Sequence, residues 1–223
     1  MFKKWLTIFK KNTLMDRAYQ RSFKMLDITL DMFREARESL RNREDNEIDL
    51  KIKDRDKDVN SYEREVRRWV FKHLVVQGTT NLPTGLALVS IIIDIERIGD
   101  YTKNMVELAV DHPGKLRGGL FEADLKKIEE GVEDNFITTK KCFVDGDADM
   151  ALILLEKYAW VNDMCDDRVR DVVQEKDPAI CPADAAALAL YIRFLKRVNS
   201  HLRNITTSVV NPFDLIGFTP TDH

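Results

Sequence analysis

Glu96 and Asp100 stand four residues apart, and Asn104 continues the row. On an α-helix, positions i and i+4 share one face, one turn apart. Asp56 and Asn60 form a second polar pair with the same spacing. If the two segments are antiparallel helices, their carboxylate and amide oxygens converge. Hard cations, and iron, favour such oxygen ligands. Carboxylate rows on facing helices are an established way to build metal sites inside bundles. The competing reading is a solvated helix face, because Arg64, Arg97 or Lys103 could neutralise the acids.

The elements that must carry these rows are legible as six helices with a 3.6-residue apolar period. The first is expected from Thr13 to Asn42, with Ala18, Ser22, Met25, Thr29, Met32, Ala36 and Leu40 on one stripe. The second is expected from Asn46 to Gln77, through Ile48, Ile52, Val59, Val66, Val70 and Leu74. Gly78-Thr79-Thr80-Asn81 breaks it, and Pro83 suits the first turn of a third helix. That helix carries Leu88, Ile91, Ile92, Ile95, Ile98, Met105 and Ala109, and His112-Pro113-Gly114 stops it. A fourth helix starts near Phe121. A fifth follows Asp145-Gly146-Asp147 as one stripe from Leu154 to Val172. A sixth opens at Pro182 and runs through Leu188, Ile192, Leu195 and Val209.

Short connections between long amphipathic helices imply antiparallel neighbours. The expected fold is all-α: two tandem antiparallel three-helix bundles related by internal duplication. Arg97 to Asn104 aligns with Arg197 to Asn204 at an offset of 100, and Val59-Asn60 with Val161-Asn162 at 102. The organisation read from the chain is a segment 1–12, a first unit 13–116 and a second unit 117–223.

Composition narrows the function classes. The 223 residues are 33% charged, with a formal net charge of −3. No global basic field exists of the kind a duplex-DNA binder shows, so no nucleic-acid partner is expected. No apolar run reaches the roughly 18 residues that a membrane span needs. Cys142, Cys165 and Cys181 lack metal-type spacing and suit reduced thiols in a cytoplasm. In residues 1–12, Phe2, Trp5, Leu6, Ile8 and Phe9 alternate with Lys3, Lys4, Lys10 and Lys11. That pattern suits either an interfacial anchor on an anionic membrane or a segment folded onto the bundle. There is no Gly-rich phosphate loop, nucleophile elbow or His-Glu-x-x-His, and no catalytic role is expected.

Glu96-Arg97-Ile98-Gly99-Asp100 with Asn104, and the segment from Asp56 to Val66, resemble the signature motifs of the PhoU family of phosphate-uptake regulators. The resemblance spans roughly Asp16 to Asn211. It implies two PhoU-type, spectrin-repeat-like bundles and a regulatory adaptor for phosphate homeostasis. It further implies a membrane phosphate transporter or sensor histidine kinase as partner, a homodimer, and a place in the cytoplasm or at the inner membrane face. Metal binding through Asp56, Asn60, Glu96 and Asp100 follows from the same resemblance, with iron, zinc, manganese or magnesium as the ion. Asn60 stands where the family motif has Asp, which leaves one charge fewer.

The second unit departs from the motif. Lys196 and Ser200 stand where Glu and Asp are expected, with Tyr158 and Asn162 on the partner helix. No metal is expected there, because an ammonium repels a cation. Lys196, Arg197, Arg193 and His201 could instead form an anion-tolerant face, or simply a solvated one. The alternative to a regulator is a metal-binding enzyme or storage bundle of the di-iron carboxylate type. That class requires Glu-x-x-His pairs in the bundle core, and the sequence has none.

Overall fold

A computed structural model of the chain describes residues 13–42 and 51–220. Seven α-helices occur among them: α1 (Leu14–Arg41), α2 (Lys51–Gln77), α3 (Leu82–Asp111), α4 (Glu122–Asp145), α5 (Ala148–Lys157), α6 (Ala159–Val173) and α7 (Pro182–Val210). The amphipathic segment 1–12, the expected helix start at Asn46, and Ile48 lie outside the described residues.

Local chemistry fixes the helix ends. Thr13 and Asp16 cap α1 reciprocally: Asp16 N–H donates to Thr13 Oγ1 at 3.2 Å, and Thr13 N–H to Asp16 Oδ2 at 2.8 Å. Prolines occupy the first turns of α3 and α7, where a missing N–H costs nothing. Gly146 ends α4 in the left-handed region at φ 63°, which a side chain would strain.

The apolar stripes face inward as the period requires. Every named stripe residue of α1, α3 and α7 is buried, as are Leu125, Ile128, Val132, Phe136 and Phe143 of α4. Helices α1, α2 and α3 pack on one another as one antiparallel bundle, and α4 to α7 form the second. The bundles join along α3 against α7, with α1 beside α4. Phe23 meets Phe143 edge-on at 5.5 Å, and Phe33 lies 6.4 Å from Phe136, which ties α1 to α4. Tyr101 stacks on His201 at 5.7 Å. These residues are aligned at the offset of 100, so equivalent positions of α3 and α7 meet at the seam.

One expected element is different. The single fifth helix is two, α5 and α6, parted at Tyr158. The buried Tyr158 ring reaches to α4, where its hydroxyl donates to Asp134 and accepts from Thr138 at 3.2 Å. The apolar period continues across the break, which is why it reads as one stripe. At the crossing of α4 with α6, a Cβ on Gly131 would lie 2.8 Å from the Trp160 ring, so only glycine allows that approach.

Candidate metal site

Helices α2 and α3 run antiparallel and bring the four expected residues to one face of the first bundle. Asn60 Nδ2 donates to Asp56 Oδ2 at 3.3 Å. Lys103, one turn beyond Asp100, reaches between the helices. Its Nζ lies 3.2 Å from Asp100 Oδ1 and 3.7 Å from Asp56 Oδ2. Burial alone would lower the Lys103 pKa, but Asp56, Asp100 and Glu107 outweigh it and hold the ammonium charged.

Glu96 is the tense member of the group. Burial, then Asp100, Glu63 and Asp56, push its carboxyl above the ordinary range, with only Arg97 opposing. Glu63 was not among the residues read from sequence. It lies on α2 one turn beyond Asn60, ion-paired with Arg67 at 2.7 Å. The spacing of Asp56, Asn60 and Glu63 already placed it on the same helix face.

Gly99 lies beneath the carboxylates. A Cβ there would meet Thr29 Cγ2 at 3.5 Å and Val59 Cγ1 at 3.7 Å, which is ordinary contact. Space alone therefore does not demand the glycine of the motif.

The donor set suits a hard cation: Asp56, Glu63, Glu96 and Asp100 offer carboxylates, and Asn60 an amide oxygen. The arrangement is not a closed cage. Among the described residues, no three Asp, Glu, His or Cys side chains gather tightly enough to hold an ion. Lys103 occupies the position between Asp56 and Asp100 that a cation would take.

The raised Glu96 pKa gives a testable sign. A carboxyl with a raised folded-state pKa favours the folded protein when protonated, and that contribution is lost as pH rises through the folded pKa. Glu96→Gln is therefore expected to raise Tm modestly at neutral pH in metal-free buffer. The gain should fade as pH falls below the ordinary carboxylate range, because wild-type Glu96 is then neutral too. Thermal melts of both chains across that range check it. A Tm lowered by Glu96→Gln at neutral pH would mean that Glu96 is stabilised as an anion.

The aligned positions of the second bundle are closed on themselves. Lys196 pairs with Asp166, which Arg193 also approaches at 3.3 Å. Asn162 Nδ2 donates to Ser200 Oγ at 3.2 Å, and Asn199 Nδ2 to Asn162 Oδ1 at 3.1 Å. Asn135 Nδ2 extends this relay to Asn199 Oδ1 at 2.8 Å. The expected face is not an open basic one, because Lys196 and Arg193 share the Asp166 carboxylate. His201 is not on that face at all. It is buried in the seam, with Nδ1 2.7 Å from Asp94 Oδ1, and Asn204 Nδ2 donates to the same oxygen at 2.8 Å.

A groove of about 610 Å³ opens where the linker passes between the end of α1 and the start of α4. Its floor is an ion-pair network. Arg41 binds Glu122, Glu129 at 2.9 Å and the Leu116 carbonyl, and Tyr191 donates to Glu129 at 2.8 Å.

Known proteins share this architecture. Residues 23–109 match the family model described as the PhoU domain, a span that contains α2, all but the last two residues of α3 and the whole acidic face. A crystal structure of PhoU from Pseudomonas aeruginosa superposes with a TM-score of 0.79 at 19% identity, over 88% of this chain and 95% of that one. A crystal structure of the phosphate transport system regulatory protein PhoU from Streptococcus pneumoniae gives 0.76 at 15% identity, over 88% and 93%. No curated protein matches the chain. Residues 23–109 are thus similar to a PhoU domain, and the chain shares the fold of the PhoU crystal structures over most of its length.

Proposed function

We propose that this protein regulates phosphate uptake by binding partners, without catalysing a reaction. The observation that carries the reading is the PhoU domain match over residues 23–109, which encloses the Asp56/Asn60 and Glu96/Asp100 rows. The fold, similar to a phosphate transport system regulatory protein, supports it.

In this reading the protein is a cytoplasmic adaptor, dimeric in the working state. It acts on a membrane phosphate transporter, a sensor histidine kinase, or both. The acidic face binds a divalent or ferric ion through Asp56, Asn60, Glu96 and Asp100, with Glu63 added. Binding requires Lys103 to swing out, and it relieves the carboxylate repulsion that adds to burial in raising the Glu96 pKa.

A strain lacking the protein tests the regulatory role. Phosphate uptake and phosphate-responsive transcription should lose their dependence on external phosphate, and unchanged responses would sink the reading. The metal is tested separately. Manganese, zinc or iron should raise Tm of the native chain, and Glu96→Gln with Asp100→Asn should abolish the shift. Turnover of an oxidase or hydrolase substrate by metal-loaded protein would favour the di-iron alternative instead.

A further inference from the structure

The tip of the α2–α3 hairpin differs from the rest of the surface. From Val66 to Ile93 the chain has no Asp or Glu, while Arg67, Arg68 and Lys72 are present. This occurs in a protein whose formal net charge is −3. Arg68 and Lys72 are exposed and pair with no carboxylate among the described residues, whereas Arg67 binds Glu63.

Apolar side chains crown this basic tip. Phe71 is 67% exposed, Val75 68% and Val76 75%, on the face of α2 that also carries Arg68 and Lys72. Leu82 and Leu86 begin α3 beside them at 40% and 38%. Folding leaves these residues out of the core, although buried Val70 and Leu88 flank them in sequence. The chain end adds to the patch. The turn Phe213–Leu215 packs against α3. The antiparallel register of α3 with α7 places it near the start of α3, with Phe213 and Phe218 both exposed. Asp214 is the one acid in that turn.

The aligned tip of the second bundle serves as an internal control. It carries Asp171, Glu175, Asp177 and Asp184 beside Arg170 and Lys176, with Asp171 paired to Arg168 and Lys176, and Val173 is its strongly exposed apolar residue. Because α3 and α7 are antiparallel, that tip lies at the opposite end. The basic, apolar α2–α3 tip and the acid-bearing α6–α7 turn therefore lie at opposite ends of the molecule. Asp145, Asp147 and Asp149 sit at the first end too, but on the α4–α5 turn of the second bundle. Contact is thereby biased toward the first bundle.

We infer that the α2–α3 tip docks on an anionic lipid surface. Three observations favour lipid over a protein groove. The apolar residues lie at the convex end of a hairpin, where they can enter a headgroup layer. Uncompensated Arg68 and Lys72 ring them, the arrangement that interfacial binding uses. Residues 1–12, with Trp5, two phenylalanines and four lysines, are joined to the chain at the same end. The Arg21–Glu65 pair at 3.0 Å places the start of α1 level with the α2 tip. No helix among the described residues is long and apolar enough to cross a membrane, so the contact is peripheral. The inference does not rest on the phosphate reading.

Co-sedimentation of the full chain with vesicles tests it. The native chain is expected to pellet with phosphatidylglycerol–phosphatidylcholine vesicles, weakly or not at all with phosphatidylcholine alone, and less as salt rises. The pair Arg68→Glu and Lys72→Glu should weaken partitioning on the order of tenfold or more, given the gain per surface charge. Val75→Asp with Val76→Asp should abolish it, and Val173→Asp on the other tip should leave it intact. All these positions are exposed, and unchanged melting curves would show that the variants fold. Failure of the native chain to bind anionic vesicles overturns the inference, as does binding that Val75→Asp/Val76→Asp leaves unchanged. Retention on native membranes that protease treatment of those membranes abolishes, with no binding to protein-free vesicles, assigns the tip to a protein partner and overturns it too.

Discussion

Asp94→Ala is expected to destabilise the protein by about 2–6 kcal/mol, from one buried and one half-buried donor left without an acceptor at roughly 1–3 kcal/mol each. Asp94 is only 7% exposed, in the seam between α3 and α7. Its Oδ1 faces His201 Nδ1 at 2.7 Å and accepts from Asn204 Nδ2 at 2.8 Å. Both partners are on α7, so this one carboxylate joins the two bundles. Alanine removes the acceptor and leaves the imidazole and the amide pointing at a small void. Tyr101, stacked on His201 at 5.7 Å, limits how far the imidazole can turn away to find water.

Asp94→Asn keeps an acceptor oxygen, so its loss should be distinctly smaller. Urea denaturation of the three chains checks this through the midpoint, provided the slope m is unchanged. An alanine midpoint equivalent to less than about 1 kcal/mol would show that the seam closes or hydrates at no net cost.

The second large effect is expected at another polar contact between the bundles. Arg41→Ala should cost about 3–5 kcal/mol at neutral pH, the range for removing one partner of a buried ion pair. The Arg41 side chain is 7% exposed and that of Glu129 is 8%. Without the guanidinium, Glu129 keeps a buried charge answered by the Tyr191 hydroxyl and by the weaker influence of Arg37. The Leu116 carbonyl in the linker also loses its donor.

The pH dependence separates this cause from lost packing. Burial holds the Glu129 carboxyl above its ordinary range, and Arg41 is the largest influence opposing that rise. Removing Arg41 raises the Glu129 pKa further. A raised folded-state pKa adds stability below the unfolded value and loses it as pH climbs through the folded value. The deficit of Arg41→Ala should therefore shrink as pH falls and Glu129 becomes neutral. Glu122 behaves oppositely. Burial pushes its carboxyl up, but the Gly118 N–H, Arg41 and Lys126 outweigh that and hold it low. Its favourable contribution fades at low pH in the wild type and narrows the gap from the other side. Equal deficits at neutral and acid pH would show that lost packing, not the stranded carboxylate, sets the cost.

Much of the candidate site was legible in the sequence because it is local. Asp56 with Asn60, and Glu96 with Asp100, are i,i+4 pairs, and helix geometry alone places each pair on one face. The short turn Gly78–Asn81 then obliges the two faces to be neighbours. Lys103 entered the sequence reading only as a general neutraliser. That it reaches Asp56 on the other helix depends on the register between α2 and α3, which no spacing within one segment encodes. Lys196 and Arg193 read as an open basic face for the same reason. Asp166, which closes it, is on a different helix.

Asp94 shows where a signal existed and was underused. A lone carboxylate among Ile91, Ile92, Ile93 and Ile95 must either face water or find a buried partner. The apolar neighbours on both sides pointed to the second outcome, but the identity of the partner lay more than a hundred residues away.

The sequence by itself determined the helices, except the break at Tyr158, together with their order, their apolar stripes and the duplicated motif. These follow from a 3.6-residue period, from caps and prolines, and from an offset of 100, all properties of contiguous chain. Only the tertiary structure decided which polar groups meet. It joined Asp94 to His201, Arg41 to Glu129 and Lys103 to Asp56, and it left Phe71, Val75 and Val76 uncovered at one end. The physical reason is that burial and ion pairing depend on which two helix faces are pressed together. That choice is made by packing whole bundles against each other, and not by any one helix.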